Sequence, residues 1–250
     1  MTDAVLASAL ATEAGEYLLG LRAAGDLSPE ELRRQGDAGS QEVLARRLAE
    51  ERPDDAVLSE EAKDSPARLS ASRVWIIDPL DGTREYGEGR ADWAVHVALW
   101  VDGELTAGAV AIPAEGLTLD TASPLPRPAA ADRIRLAVSR TRPPAFVTKL
   151  AEALDAELVP MGSAGVKATS VLRGQVDAYV HAGGQYEWDS AAPVAVARAA
   201  GLFTSRIDGT PLVYNQPDPL LPDLVVALPE VAQRILQAVS AIEFEEVSSR

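Results

Sequence analysis

The segment that most restricts how this chain can fold is Val74-Trp75-Ile76-Ile77-Asp78-Pro79-Leu80-Asp81-Gly82-Thr83. Its four leading residues are apolar and strand-favouring, and they read as a buried strand. That strand delivers two carboxylates at its carboxyl end, three positions apart, which is a poor place for idle charge. Pro79 cannot continue the ladder and turns the backbone, so Asp78, Asp81 and the Leu80 carbonyl can converge on one or two hard cations. Gly82 lets the chain approach an anion closely, and the N–H groups of Gly82 and Thr83 at a helix start would bind a phosphate. Taken alone, the same residues also describe an ordinary strand-to-helix turn capped by Asp81.

Composition narrows the chemistry. There is no cysteine, which excludes disulfides, thiolate nucleophiles and sulfur-based zinc sites, and the two histidines do not make an imidazole-rich metal site. Catalysis must therefore rest mainly on oxygen. With 38 acidic against 23 basic residues, the net charge of −15 disfavours nonspecific binding to nucleic acid or anionic lipid. No positive segment precedes an apolar core near Met1, so no signal peptide is expected. The runs 93–101 and 107–113 are far shorter than the ~18 to 20 residues needed to span a bilayer. The expectation is a cytoplasmic protein without membrane or nucleic-acid partners.

Spacings of three and four from Val5 to Leu21 predict an amphipathic helix that stops near Gly25, and a second helix is expected from about Gln41 to Glu51. Strand-like runs follow at 74–77, 93–101, 104–112 and 116–121, with Asp102-Gly103 as a hairpin turn. The proline- and alanine-rich stretch 122–132 reads as a connector, dividing a subdomain 1–125 from a subdomain 126–250. Beyond it, strands at 134–138, 158–159, 176–181 and 224–227 alternate with helices at 146–154, 165–172, 189–200 and 229–242. That is the pattern of an α/β layer.

Two more acidic sites accompany the aspartate turn. Leu58-Ser59-Glu60-Glu61 ends a short apolar run, and Glu187-Trp188-Asp189-Ser190-Ala191-Ala192 puts Asp189 at the first position of a helix. Singly, they also read as a solvated loop and a helix cap. Together, Glu60-Glu61, Asp78 to Thr83 and Trp188 to Ala192 resemble the three markers of the inositol monophosphatase-like superfamily, the lithium-sensitive magnesium-dependent phosphatases. The resemblance implies an α/β (α+β) fold in an αβαβα sandwich, with Glu60, Asp78, the Leu80 carbonyl, Asp81 and Asp189 as ligands to two or three Mg2+ ions, and inhibition by Li+ and Ca2+. It further implies that Thr83 and Asp37 orient the attacking water. The stretch before Asp37 reads Arg33-Arg34-Gln35-Gly36 where the family has Ser-Pro-Val-Thr-x-Ala, so Asp37 also reads as a helix-capping residue. A homodimer is expected on the same ground.

Within the superfamily, Arg84-Glu85-Tyr86 looks like the Lys-Glu-Phe of CysQ-type 3'(2'),5'-bisphosphate nucleotidases. Ser139, Arg140 and Thr141, followed by Arg142, stand where those enzymes have a loop for the second substrate phosphate. Gly162-Ser163-Ala164-Gly165-Val166-Lys167 resembles their glycine-rich turn and lysine. The resemblance makes Gly82, Thr83, Ser139, Arg140, Thr141, Ser163, Lys167 and His181 substrate-binding candidates, and a phosphorylated nucleotide the substrate. Arg140 and Lys167 also read as surface cations, His181 as a strand-end residue, and His96 as structural. His181-Ala182-Gly183-Gly184-Gln185 departs from the family's Gly-Pro-Thr, which leaves the base contacts open. The expected reaction is removal of the 3'-phosphate of 3'-phosphoadenosine 5'-phosphate in sulfate assimilation, with the phosphosulfate as a further substrate. Inositol phosphates and fructose 1,6-bisphosphate remain the alternative substrates, and a non-catalytic phosphometabolite sensor the alternative class.

Overall fold

The computed structural model describes residues 1–141 and 143–248, the last six of these by backbone alone, so Arg142 of the candidate phosphate loop lies outside the described residues. Two helices open the chain, α1 (Asp3–Ala24) and α2 (Pro29–Glu51). A first sheet follows in the order β1-β2-β3-β4-β5, from β1 (Ala56–Ser59), β2 (Arg73–Asp81), β3 (Ala94–Val101), β4 (Glu104–Ile112) and β5 (Leu117–Asp120), with the short helix α3 (Thr83–Gly87) after β2. β1 runs parallel to β2 and the other neighbours are antiparallel. The second half contains β6 (Arg135–Ser139), α4 (Ala145–Leu154), β7 (Glu157–Met161), α5 (Ala164–Leu172), β8 (Ala178–Tyr186), α6 (Glu187–Ala199), β9 (Phe203–Ser205), β10 (Leu220–Ala227) and α7 (Pro229–Ser248). Its mixed sheet has the order β7-β6-β8-β10-β9.

Two cores explain why β2, β3 and β4 are apolar almost without interruption. Val74, Ile76, Ala94, Ala98 and Val110 enter the core shared with α5, α6 and the second sheet. The alternate residues Trp75, Ile77, Val95, Val97, Leu99 and Ala109 enter the core with α1 and α2. A strand with both faces covered has no solvent side to be polar. The layers are thus α1 and α2, first sheet, α5 and α6, second sheet, then α4 and α7, an α/β sandwich of the expected class. By length and composition alone α1 could cross a membrane, contrary to the expectation drawn from the other apolar runs, but Leu6, Leu10, Ala14 and Leu18 are fully buried against the sheet.

Several boundaries differ from the sequence reading. α2 starts at Pro29 rather than Gln41: the Ser28 hydroxyl accepts from Glu31 N at 3.2 Å, and Pro29 suits the first turn. Gly36, which hides this helix from propensity, is needed there because a Cβ would lie 2.9 Å from Tyr86 and 3.1 Å from Leu80. α6 starts at Glu187, so Asp189 occupies its third position, and its carboxylate reaches back to the N-cap residue Tyr186. Strand β9, three residues long, was not expected.

Candidate active site

In a strand, residues three apart project to opposite faces, so Asp78 and Asp81 could not ordinarily meet. The β2–β3 register shifts between them, where Pro79 has no N–H to offer, and the bulge turns both aspartates toward one place. Asp78 Oδ1 accepts from Leu80 N at 3.0 Å, and the Ser40 hydroxyl donates to the Pro79 carbonyl at 2.7 Å, which fixes the turn. From the other half of the chain, α6 brings Asp189, whose Oδ2 accepts from Tyr186 N at 2.6 Å. One carboxylate oxygen from each of Asp78, Asp81 and Asp189 lies within 4.8 Å of the others. Glu60, the first residue after β1, contacts Asp78 and feels the charge of Asp81 and Asp189, but neither it nor Glu61 belongs to the group that meets within 4.8 Å.

Crowding of like charge is visible in the acidities. Burial, then the charges of Asp189, Asp81 and Glu61, push Glu60 up to about 7. Burial and the carboxylates of Glu60, Asp81 and Asp189 hold Asp78 above its ordinary range, while burial and Asp81 raise Asp189 to about 6. Asp81 alone is driven down: burial opposes ionisation, but His96, Lys167 and Ser163 outweigh it. Its carboxylate accepts from Ala164 N at 3.0 Å, from Gly165 N at 2.6 Å and from the Ser163 hydroxyl, tying β2 to the start of α5. An all-oxygen cluster in which Glu60, Asp78 and Asp189 resist ionisation beside an ionised Asp81, with His96 and Lys167 the cations nearest among the described residues, suits a hard divalent cation.

His96 belongs to this site, although the sequence placed it in the apolar wall of its strand. It is fully buried, its Nδ1 donates to the Trp188 carbonyl at 3.0 Å, and its Nε2 lies 3.3 Å from Asp81 Oδ2 without the alignment of a hydrogen bond. Burial disfavours its charge, yet Asp81 raises its pKa. Gly165 makes room for it, since a Cβ there would fall 1.9 Å from Nε2. The available signal was a histidine in a strand buried on both faces, which must find a partner, and its cross-strand neighbour is Asp78.

Asp37, in the middle of α2 and not at a cap, accepts from the Thr83 hydroxyl at 3.3 Å, and the same hydroxyl reaches the Leu80 carbonyl at 3.0 Å. Burial and the neighbouring Glu61 push Asp37 up to about 6. The carboxylates open into a cavity of about 790 Å³ whose wall includes Gly82, Ser139, Ser163, Lys167 and His181. Lys167 is buried, its pKa lowered by desolvation, and its Nζ donates to Ser163 O at 2.5 Å and Gly162 O at 3.3 Å. His181 Nε2 meets Gly184 O at 3.1 Å, and burial disfavours its charge. Arg140 is elsewhere: its guanidinium is held by Glu85 at 3.0 Å and Glu88 at 2.8 Å and does not line the cavity, nor does the exposed Thr141.

Residues 4–243 match the inositol monophosphatase family. The chain is 49% identical to the 3'-phosphoadenosine 5'-phosphate phosphatase of Mycobacterium leprae (strain TN), over 97% of this chain and 95% of that protein. It is 52% identical to the protein of the same name from Mycobacterium bovis (strain ATCC BAA-935 / AF2122/97), over 91% and 90%. The crystal structure of CysQ from Bacteroides thetaiotaomicron, a bacterial member of the inositol monophosphatase family, superposes with a TM-score of 0.78 at 26% identity, covering 90% of this chain and 97% of that one.

Proposed function

Since this chain belongs to the inositol monophosphatase family, we propose that it hydrolyses the 3'-phosphate of 3'-phosphoadenosine 5'-phosphate, giving AMP and inorganic phosphate, with magnesium as its cation. The observation that carries this reading is the identity of about half the residues, along nearly the whole chain, with relatives named for that substrate. Asp78, Asp81, Asp189, Glu60 and the Leu80 carbonyl would hold two or three ions. When bound, magnesium neutralises phosphoryl charge and acidifies water.

The chain's own groups divide the remaining work. The Thr83 hydroxyl, shared between Asp37 and the Leu80 carbonyl, orients the attacking water, and Asp37, with a pKa of about 6, accepts its proton near neutral pH. Gly82, at φ +87°, brings backbone close to the reacting phosphate without a side chain in the way. Ser139, Ser163, Lys167 and His181 face the 5'-phosphate; Lys167 keeps a third ammonium proton beyond its two carbonyl partners. Arg140 and Thr141 join them where Arg140 exchanges Glu85 and Glu88 for phosphate. Residues 1–125 and 126–250 act as two subdomains meeting at this site. The same pocket would take 3'-phosphoadenosine 5'-phosphosulfate, and the reaction would serve sulfate assimilation in the cytoplasm, in a homodimer.

Phosphate release with magnesium from 3'-phosphoadenosine 5'-phosphate, inositol 1-phosphate and fructose 1,6-bisphosphate tests the reading. The bisphosphate nucleotide is expected to show the highest kcat/KM. A higher value for either other compound would overturn the assignment of substrate while leaving a magnesium phosphatase.

A further inference from the structure

The carboxyl end of β8 carries Gly183-Gly184-Gln185-Tyr186 directly into α6, and Tyr186 and Trp188 stack there, ring centroids 4.7 Å apart and planes 11° from parallel. Trp188 is half-buried and packs on the core, whereas Tyr186 is 46% exposed. Both line the cavity that holds the carboxylates. With one face covered by Trp188, the tyrosine offers the other face. The two glycines before it, at φ +133° and +84°, put no side chain over this space; a Cβ on Gly183 would meet nothing within 4 Å. Tyr186 is also registered to the carboxylate cluster, because its own N–H donates to Asp189. A flat, half-exposed aromatic face at a fixed offset from a phosphate-cleaving centre is a stacking surface.

We propose that Tyr186, backed by Trp188, is the platform on which the purine base of the substrate stacks, and that it sets the preference for nucleotides over sugar and inositol phosphates. An inositol or fructose ring has no π-face to lay on it, so the platform favours only a substrate carrying a base. The proposal rests on the substrate class proposed above and adds the residue that selects it.

The test compares ligands with and without the base in wild type, Tyr186→Ala and Tyr186→Phe. Calorimetry of AMP and of ribose 5-phosphate, at fixed magnesium, gives a ratio of dissociation constants, and phosphate release from 3'-phosphoadenosine 5'-phosphate and ribose 3,5-bisphosphate gives a ratio of kcat/KM. Tyr186→Ala should lower the base-bearing preference by roughly 5- to 150-fold, the range for loss of one base–aromatic stack, and Tyr186→Phe should keep it. If Tyr186→Ala weakens both ligands equally, the tyrosine acts through Asp189 or the fold, and the proposal fails. A wild-type protein with no preference for AMP over ribose 5-phosphate also overturns it. A wild type that prefers AMP through Tyr186 yet releases no phosphate from the bisphosphate upholds the platform and refutes the proposed reaction.

Discussion

Replacing Arg68 with methionine should destabilise the protein sharply although the residue touches no carboxylate of the cluster. Arg68 is 1% exposed and lies in the short helical turn 66–70 between Glu60 and β2. Its guanidinium donates to Asn215 Oδ1 at 2.7 Å and to the Gln216 carbonyl at 2.9 Å, and holds Asp64 through two further bonds. Asn215 N and Gln216 N in turn donate to the buried Glu187 at 2.6 and 2.8 Å, two residues before Asp189. Methionine fills much of the volume but leaves the buried Asn215 oxygen without its donor, a loss of about 1 to 3 kcal/mol, and removes one ordinary hydrogen bond at Gln216, about 1 kcal/mol. Asp64 has a side chain 39% exposed and turns to water, so its share is near zero. The sum, about 2 to 4 kcal/mol, corresponds in a chain of this size to a melting temperature lower by roughly 4 to 16 °C. Thermal melts followed by circular dichroism, without magnesium, read this directly. A shift below about 2 °C would refute the reasoning that this clasp fixes the start of α6.

Asp81→Asn and Asp189→Asn should each reduce turnover at saturating magnesium by at least about 100-fold, since an amide is not an anionic ligand, but their metal-free melts should diverge. Asparagine at 81 cannot accept from Ser163, Ala164 and Gly165 together and lowers stability by about 1 to 3 kcal/mol, whereas at 189 it relieves repulsion and leaves stability unchanged or higher at pH 8. Because the folded-state pKa values of Glu60 and Asp189, about 7 and 6, stand above their ordinary values, the metal-free protein binds more protons folded than unfolded and loses stability as pH rises through that window. Magnesium should therefore raise the melting temperature more at pH 8 than at pH 5.5. Lithium and calcium, titrated at fixed magnesium against potassium chloride of equal ionic strength, should inhibit phosphate release, and inhibition no greater than by potassium would separate this site from that of its family.

What could be read from the sequence was what is local along the chain. The β2 strand with its Pro79 turn and the helix carrying Asp189 are contiguous patterns, and the structure brings their three aspartates together. The amino-terminal half of α2 was lost because Gly36 and Gly39 lower its propensity, and both serve tertiary packing, with Tyr17 lying against Gly39 as Tyr86 does against Gly36. His96 was read as wall because strand periodicity says nothing of which residue lies across the ladder. Arg140 looked like a phosphate ligand in its loop, but the acidic residues that engage it come from α3 and the residue after it, more than 50 positions earlier. The Arg68–Asn215 clasp spans 147 positions, and no local pattern announces such a pair.

Calorimetric titration of magnesium into the substrate-free protein tests most directly whether the carboxylate cluster is the cation site. At pH 6.5 Glu60 and, in part, Asp189 hold protons, which a bound cation must displace. Titrations in two buffers of different ionisation enthalpy should show net proton release at pH 6.5 that falls as pH rises to 8.5, and much weaker binding to Asp189→Asn. Magnesium binding that releases no proton at pH 6.5, or that is undiminished in Asp189→Asn, would contradict the account.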